Sequence, residues 1–367
     1  MIEIGGGAGG GAGGGAGGGA GGGAGGGAGG GAGGGAGRLG EATAHAGSGP
    51  SPLLTQALTV IHDAIAGYWD LGGETPRFPS PPDDLGYLTA TRRTQLLTGA
   101  MAGHFHVDPT SGDANAGKAT LEVGGHEALS LHRPGRDVFE AQLIYLRNYA
   151  DLRVDRNAEI LVQIGDILSF FGAIGLMNSR RNESTLKLLS AVQSLAILIE
   201  MQMKHLCWVP RPIELLPHVQ PVIQTPDHSS FPSGHATEAF AVATVMNALM
   251  QGGERAYEGV TENRMPFRLA QRIAVNRTVA GVHYPIDTAA GAVLGCALGE
   301  AVIAMGEGGG TFKATDFEDD SFAGSADFTR GWLKEILGTG TGRSAPGNKF
   351  VEICYDAAKD EWPRAGG

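Results

Sequence analysis

Three short segments hold the side chains of this sequence that could do chemistry. They are Lys204 with Arg211 and Pro212, then Pro232-Ser233-Gly234-His235, then Arg277 with His283 and Asp287. Lys204 and Arg211 are seven residues apart, and Pro212 turns the chain out of helical geometry. A lysine point charge and a forked guanidinium near one helix end can share a multiply charged anion. Taken alone, the pair is also explained by dipole compensation at a helix C-terminus and a surface arginine. The second segment precedes an apolar run and has the make-up of an anion-binding helix N-terminus: free amides, a hydroxyl donor, and Gly234 for close backbone approach. His235 then falls in the first turn, where an imidazole can exchange protons with an oxygen of the anion. A plain N-cap would explain Ser233 but neither Gly234 nor His235. In the third segment, Asp287 can hold one ring nitrogen of His283 and fix its tautomer. A core histidine bonded to an aspartate reads equally well there, but leaves Arg277 unexplained. Together the three segments describe a cage for a tetrahedral oxyanion.

The elements that must position these groups are helices. Apolar residues recur at three- and four-residue intervals over Leu53 to Tyr68, Thr91 to Met101, Asp137 to Asp151, Asn157 to Leu176, Glu183 to Cys207, His235 to Gln251, Pro266 to Val279 and Pro285 to Met305. Gly72 to Asp84 and Pro109 to Gly117 read as loops. No convincing alternating run breaks the series, so the expected class is all-α, a helix bundle. Residues 1–48 form a Gly/Ala-rich tail, with eight Gly-Gly-Gly-Ala copies from Gly5 to Ala36. Such a tract has nothing to bury and reads as flexible. A helical and loop region at 49–136, a catalytic bundle at 137–306 and an irregular C-terminal tail at 307–367, with one short helix at Phe328 to Leu337, complete the expected organisation.

Composition narrows the function classes. A formal charge of -11 on 367 residues argues against nonspecific nucleic-acid binding, so an anion site must be local. Cys207, Cys296 and Cys354 are scattered and odd in number, which fits reduced thiols. His104 and His106 lie in a polar stretch with no third ligand. The Gly124-Gly125 pair is too short for a dinucleotide fingerprint. Three apolar stretches approach spanning length, but Asp166, Lys187, Glu200, Asp287 and Glu300 interrupt them. That pattern favours a soluble chain without a membrane span. Nothing at the amino terminus resembles a signal peptide, so a cytoplasmic location is expected. A homo-oligomer is compatible with the sequence.

The three motifs resemble those of the superfamily containing vanadium-dependent haloperoxidases and type-2 phosphatidic acid phosphatases, most clearly from Asp137 to Met305. The resemblance implies a helical bundle holding vanadate or phosphate through Lys204, Arg211, Arg277, Ser233 and the Gly234 backbone. It implies His235 as the acid-base residue, and His283 as either the vanadium ligand or the nucleophile toward phosphorus. His228, five residues before Ser233, stands where bromide-oxidising haloperoxidases carry a second histidine. With no export signal or expected span, the resemblance points to a haloperoxidase with vanadate as cofactor and hydrogen peroxide and halide as substrates. The alternative is a soluble phosphomonoesterase acting through a phosphohistidine at His283, with phosphate rather than vanadate in the cage. A bundle that binds the anion without turnover is the non-enzymatic third.

Overall fold

A computed structural model of the chain describes residues 52–65, 79–80, 84–108, 117–318, 322 and 326–362. The Gly-Ala tract lies outside them. The fold is predominantly helical, with small sheets. Helices α1 (Pro52–Ile65) and α2 (Ala90–Ala102) are followed by strands β1 (Phe105–Asp108), β2 (Lys118–Val123) and β3 (His126–His132). Then come α3 (Arg136–Tyr149), α4 (Arg153–Gln163), α5 (Leu168–Ile174), α6 (Glu183–Leu206), the short α7 (Pro212–Leu215) and α8 (Gly234–Met250). Helices α9 (Ala256–Thr261), α10 (Met265–Val279) and α11 (Pro285–Gly306) complete the bundle. Beyond it lie β4 (Gly309–Ala314), α12 (Arg330–Gly338), β5 (Thr341–Pro346) and α13 (Lys349–Asp360).

Helix α11 is the axis of the fold and is buried along its whole length. An all-round apolar helix has no solvent face to offer, so neighbours must enclose it. Its closest partner is α8, itself buried from Gly234 to Leu249 apart from His235. Glycines at 291, 295 and 299 recur every fourth residue along α11, on one face. A Cβ at Gly291 would stand 2.5 Å from the carbonyl oxygen of Ser233, and one at Gly299 would stand 2.6 Å from the Thr244 Cβ. At Gly295 it would strike the carbonyl of Thr237. The absence of side chains there brings the second motif, at the head of α8, against the third, at the head of α11. Helix α6 packs on the other side of α8 and is braced by α2 and α13.

Sequence and structure differ at three places. Residues Asn157 to Leu176, expected to form one helix, break at Gly165-Asp166 into α4 and α5, with a 105° bend between the run 136–163 and α5. Asp166 makes the new start, accepting from the Ser169 amide at 2.9 Å and the Ser169 hydroxyl at 2.5 Å. The strands were not expected, because β2 and β3 are mostly buried on successive residues and so lack the alternation that marks a half-exposed strand. Gly124 and Gly125 form the two-residue turn between them, at φ of 60° and 82°. The segment expected to be an irregular C-terminal tail contains the antiparallel pair β4–β5 and two helices.

The expectation of a soluble, cytoplasmic chain without a membrane span is also corrected. Helices α6 and α11 are each long and apolar enough to cross a membrane. The charges that had argued against this are taken up inside the protein. Asp166 accepts from Ser169, Lys187 pairs with Glu183, Glu200 is buried, Asp287 lies among donors, and Glu300 accepts from the Ala256 amide at 2.6 Å. A charge within an apolar helix is thus no sign that the helix avoids lipid when the charge faces protein.

Candidate active site

The last turn of α6 carries Lys204, which is 1% exposed. Its ammonium donates to the carbonyls of Ser229 (3.1 Å), Ser230 (3.3 Å) and Pro232 (2.5 Å). The lysine therefore ties down the loop that delivers the second motif. Arg211, 2% exposed, stands just ahead of Pro212, the first residue of α7, with its amide held by the Glu214 carboxylate at 2.6 Å. Its guanidinium donates to the carbonyls of His228 (2.9 Å) and Val282 (2.8 Å). It also reaches Nε2 of His283 and Nδ1 of His228, both at 3.1 Å.

The first of these contacts settles the tautomer of His283, because a guanidinium can only donate. His283 Nε2 must present its lone pair to Arg211. Its Nδ1 then carries the proton and donates to Asp287 Oδ2 at 3.0 Å. Asp287 is fully buried at the head of α11, and its Oδ2 also receives the Tyr284 amide at 3.0 Å and the Ser230 hydroxyl. His228, half-buried, has its Nδ1 between Arg211 Nη2 at 3.1 Å and the Ser229 carbonyl at 3.3 Å, a donor and an acceptor on one atom.

Ser233 heads α8, but its hydroxyl caps nothing. The Oγ is buried without a hydrogen-bond partner among the described residues, while the backbone amide is bound to the Asp287 carbonyl at 2.9 Å. The amides of the first turn, from Gly234 onward, have no acceptor within the helix. Gly234 also has a reason not visible in the sequence: a Cβ there would strike the buried carboxyl group of Glu200 on α6. His235 turns its Nε2 to the carbonyl of Gln163 at 2.8 Å. A carbonyl only accepts, so Nε2 carries the proton and Nδ1 the lone pair. Arg277, at the end of α10 and 1% exposed, donates through Nη2 to the carbonyl of Ile160 (3.2 Å) and to Oε1 of Gln163 (3.1 Å), while its Nε has no partner among the described residues.

Electrostatics follow from burial and the crowd of cations. Burial first, then Arg277, pushes His235 down to about 3. Burial, then Arg211 and Lys204, pushes His283 well below the ordinary histidine value. His228 is lowered to about 4, by burial and then by Lys204 and Arg211. All three imidazoles are neutral at pH 7. Arg211 and Arg277, each lowered by burial to about 10, stay cationic. The result is a buried concentration of positive charge, orphaned donors and neutral imidazoles, which is what a tetrahedral oxyanion requires.

The structure thus places Lys204, Arg211, His228, Ser233, Gly234, His283 and Asp287 around one centre, with His235 and Arg277 linked through Gln163. Sequence reading missed Gln163, Ser230 and Glu200. Ser230 is three residues from a motif serine and could have been found by proximity. A lone glutamine in a helix and a glutamate one turn before Lys204 carry no signal of their own. Among the described residues, no three His, Cys, Asp or Glu side chains group as a metal site.

Comparison with known proteins agrees with this geometry. Residues 185–308 match the PAP2 superfamily. The chain is 33% identical over 142 residues to the decaprenylphosphoryl-5-phosphoribose phosphatase of Mycobacterium tuberculosis, in strain CDC 1551 / Oshkosh and in strain ATCC 25618 / H37Rv. The match covers 39% of this chain and 71% of each relative. These relatives overturn the haloperoxidase expectation, and with it the assignment as an oxidoreductase and the expected partners, hydrogen peroxide and halide. The cage motifs do not separate the two chemistries, since phosphate and vanadate share shape and charge. The shared stretch covers over two thirds of a phosphatase, and the family match at 185–308 takes in the helices that carry the cage, so this chain belongs to the PAP2 superfamily of enzymes.

Proposed function

We propose that the protein is a phosphomonoesterase that works through a phosphohistidine at His283. The observation that carries the reading is the lone pair of His283 Nε2, fixed between Arg211 on one side and the Asp287-held Nδ1–H on the other. A phosphoryl group would be received by Arg211, Arg277, the Ser233 hydroxyl and the first amides of α8, with Lys204 holding the loop beneath it. As the phosphate dianion settles, a proton is drawn from solvent onto Nδ1 of His235; the Nε2 lone pair of His283 then forms the N–P bond as the ester P–O bond breaks, and the departing oxygen takes that proton. Water then attacks phosphorus, the P–N bond breaks, and the proton released by water returns to His235. Asp287 keeps its hydrogen bond throughout and stabilises the imidazole as positive charge develops on it. The relatives are phosphatases of decaprenylphosphoryl-5-phosphoribose, a phosphate ester on a lipid-linked sugar, and this, together with the two apolar helices, supports a phosphomonoester of an amphiphilic alcohol as substrate. In this reading vanadate serves only as an analogue of the phosphoryl group.

The test is trapping. Rapid quenching of wild type with a labelled aryl phosphate should leave an alkali-stable, acid-labile phosphoprotein, and His283→Ala should carry no label and show no turnover. Hydrolysis without label in wild type, or label that persists in His283→Ala, would remove His283 as nucleophile.

A further inference from the structure

We infer that Gln163 is a positioning residue that sets both the acid-base histidine and one cage arginine from outside the three motifs. The inference rests on the reading of the cage as an oxyanion site. Gln163 is the last residue of α4, 1% exposed, and precedes the matched stretch 185–308. Because α4 stops there, its carbonyl is released from helical bonding. That carbonyl accepts Nε2–H of His235 at 2.8 Å. The side-chain Oε1 of the same residue accepts from Arg277 Nη2 at 3.1 Å and from Asn276 Nδ2 at 3.0 Å. One residue therefore fixes the tautomer of the proton donor and the direction of a phosphate-binding guanidinium.

The amide cannot rotate to the opposite sense. Arg277 only donates, so Oε1 must face it. Asn276 is bracketed in turn: its Nδ2 also donates to Glu159 Oε2 at 3.0 Å, and its Oδ1 accepts from Arg156 Nη1 at 3.0 Å. Glu159 is clamped by Arg272 at 2.6 and 2.8 Å. The side chains on one face of α4 thus form a relay of fixed donors and acceptors that ends at the cage. A hydrophobic residue of the same volume could fill this space but could not aim Arg277.

The test uses the full chain and reads two quantities, the dissociation constant for inorganic phosphate by calorimetry and kcat on an aryl phosphate. Gln163→Leu should weaken phosphate binding by about tenfold and lower kcat by about ten- to a hundredfold, with the melting temperature near that of wild type. Wild-type affinity and kcat in a folded Gln163→Leu would overturn the inference. Gln163→Glu is isosteric and serves if the leucine variant does not fold. Its phosphate affinity should match wild type at acidic pH and fall as the new carboxylate ionises beside Arg277. A pH profile superimposable on that of wild type would overturn the inference by itself. Wild type that binds phosphate but hydrolyses no ester would end the phosphatase reading and leave the role of Gln163 tested by affinity alone.

Discussion

At the scale of single residues, the site is organised by which groups can only donate. Arg211 fixes the lone pair of His283, and the Gln163 carbonyl fixes the proton of His235. His235 and His283 are both neutral before an anion arrives, His235 being held at about 3. A dianion brought among them favours their charged forms, so binding must draw protons in. Calorimetry with sulfate, which has no titratable proton of its own near pH 6, should show net proton uptake when repeated in buffers of different ionisation enthalpy. Release of protons, or none exchanged, would mean that the histidines do not sense the anion. The residue types in the three motifs were legible from the sequence because chemistry needs particular side chains at short spacing. Gln163 was not, because its role comes from where α4 happens to end, and its most direct contribution is a backbone carbonyl that any residue possesses.

At the scale of elements, helix periodicity revealed α6, α8, α10 and α11 to within a residue or two of their ends, since long apolar or amphipathic segments leave a repeated mark. The sheet was hidden for the opposite reason: β2 and β3 are covered on both faces, and their Gly124-Gly125 turn was the only readable sign. The same burial argument applies to α8 and α11. Their contact is made by absent side chains, and Gly295→Ala would drive a methyl group into the Thr237 carbonyl. Overpacking of this kind costs about 1–3 kcal/mol. Chemical denaturation should register that loss, and because the displaced helix head carries Ser233, phosphate affinity should fall with it. Unchanged stability would show that the two helices have room to part.

At the scale of the whole molecule, the chain after the bundle is part of the fold. The Glu361 carboxylate, just past α13, accepts from the amides of Ser184 (2.7 Å) and Thr185 (2.9 Å) and from the Thr185 hydroxyl (2.7 Å), so it caps the start of α6, whose far end is Lys204. Glu361→Ala should cost about 1–2 kcal/mol, as loss of a helix cap does, seen as a lower denaturation midpoint with kcat nearly unchanged. A variant as stable as wild type would make the cap incidental. The sequence offered no sign of this contact, because it joins positions 177 residues apart through an ordinary glutamate. The glycine stripe has a consequence on this scale too. With one glycine per turn, α8 and α11 are indexed to each other like the teeth of two racks, and each helix begins at a motif of the cage. One residue inserted near the head of either helix would rotate everything before it by about 100° relative to the rest, pulling Ser233 or Asp287 out of the cage. Changes in chain length can therefore accumulate in the connections between helices, but not inside these two.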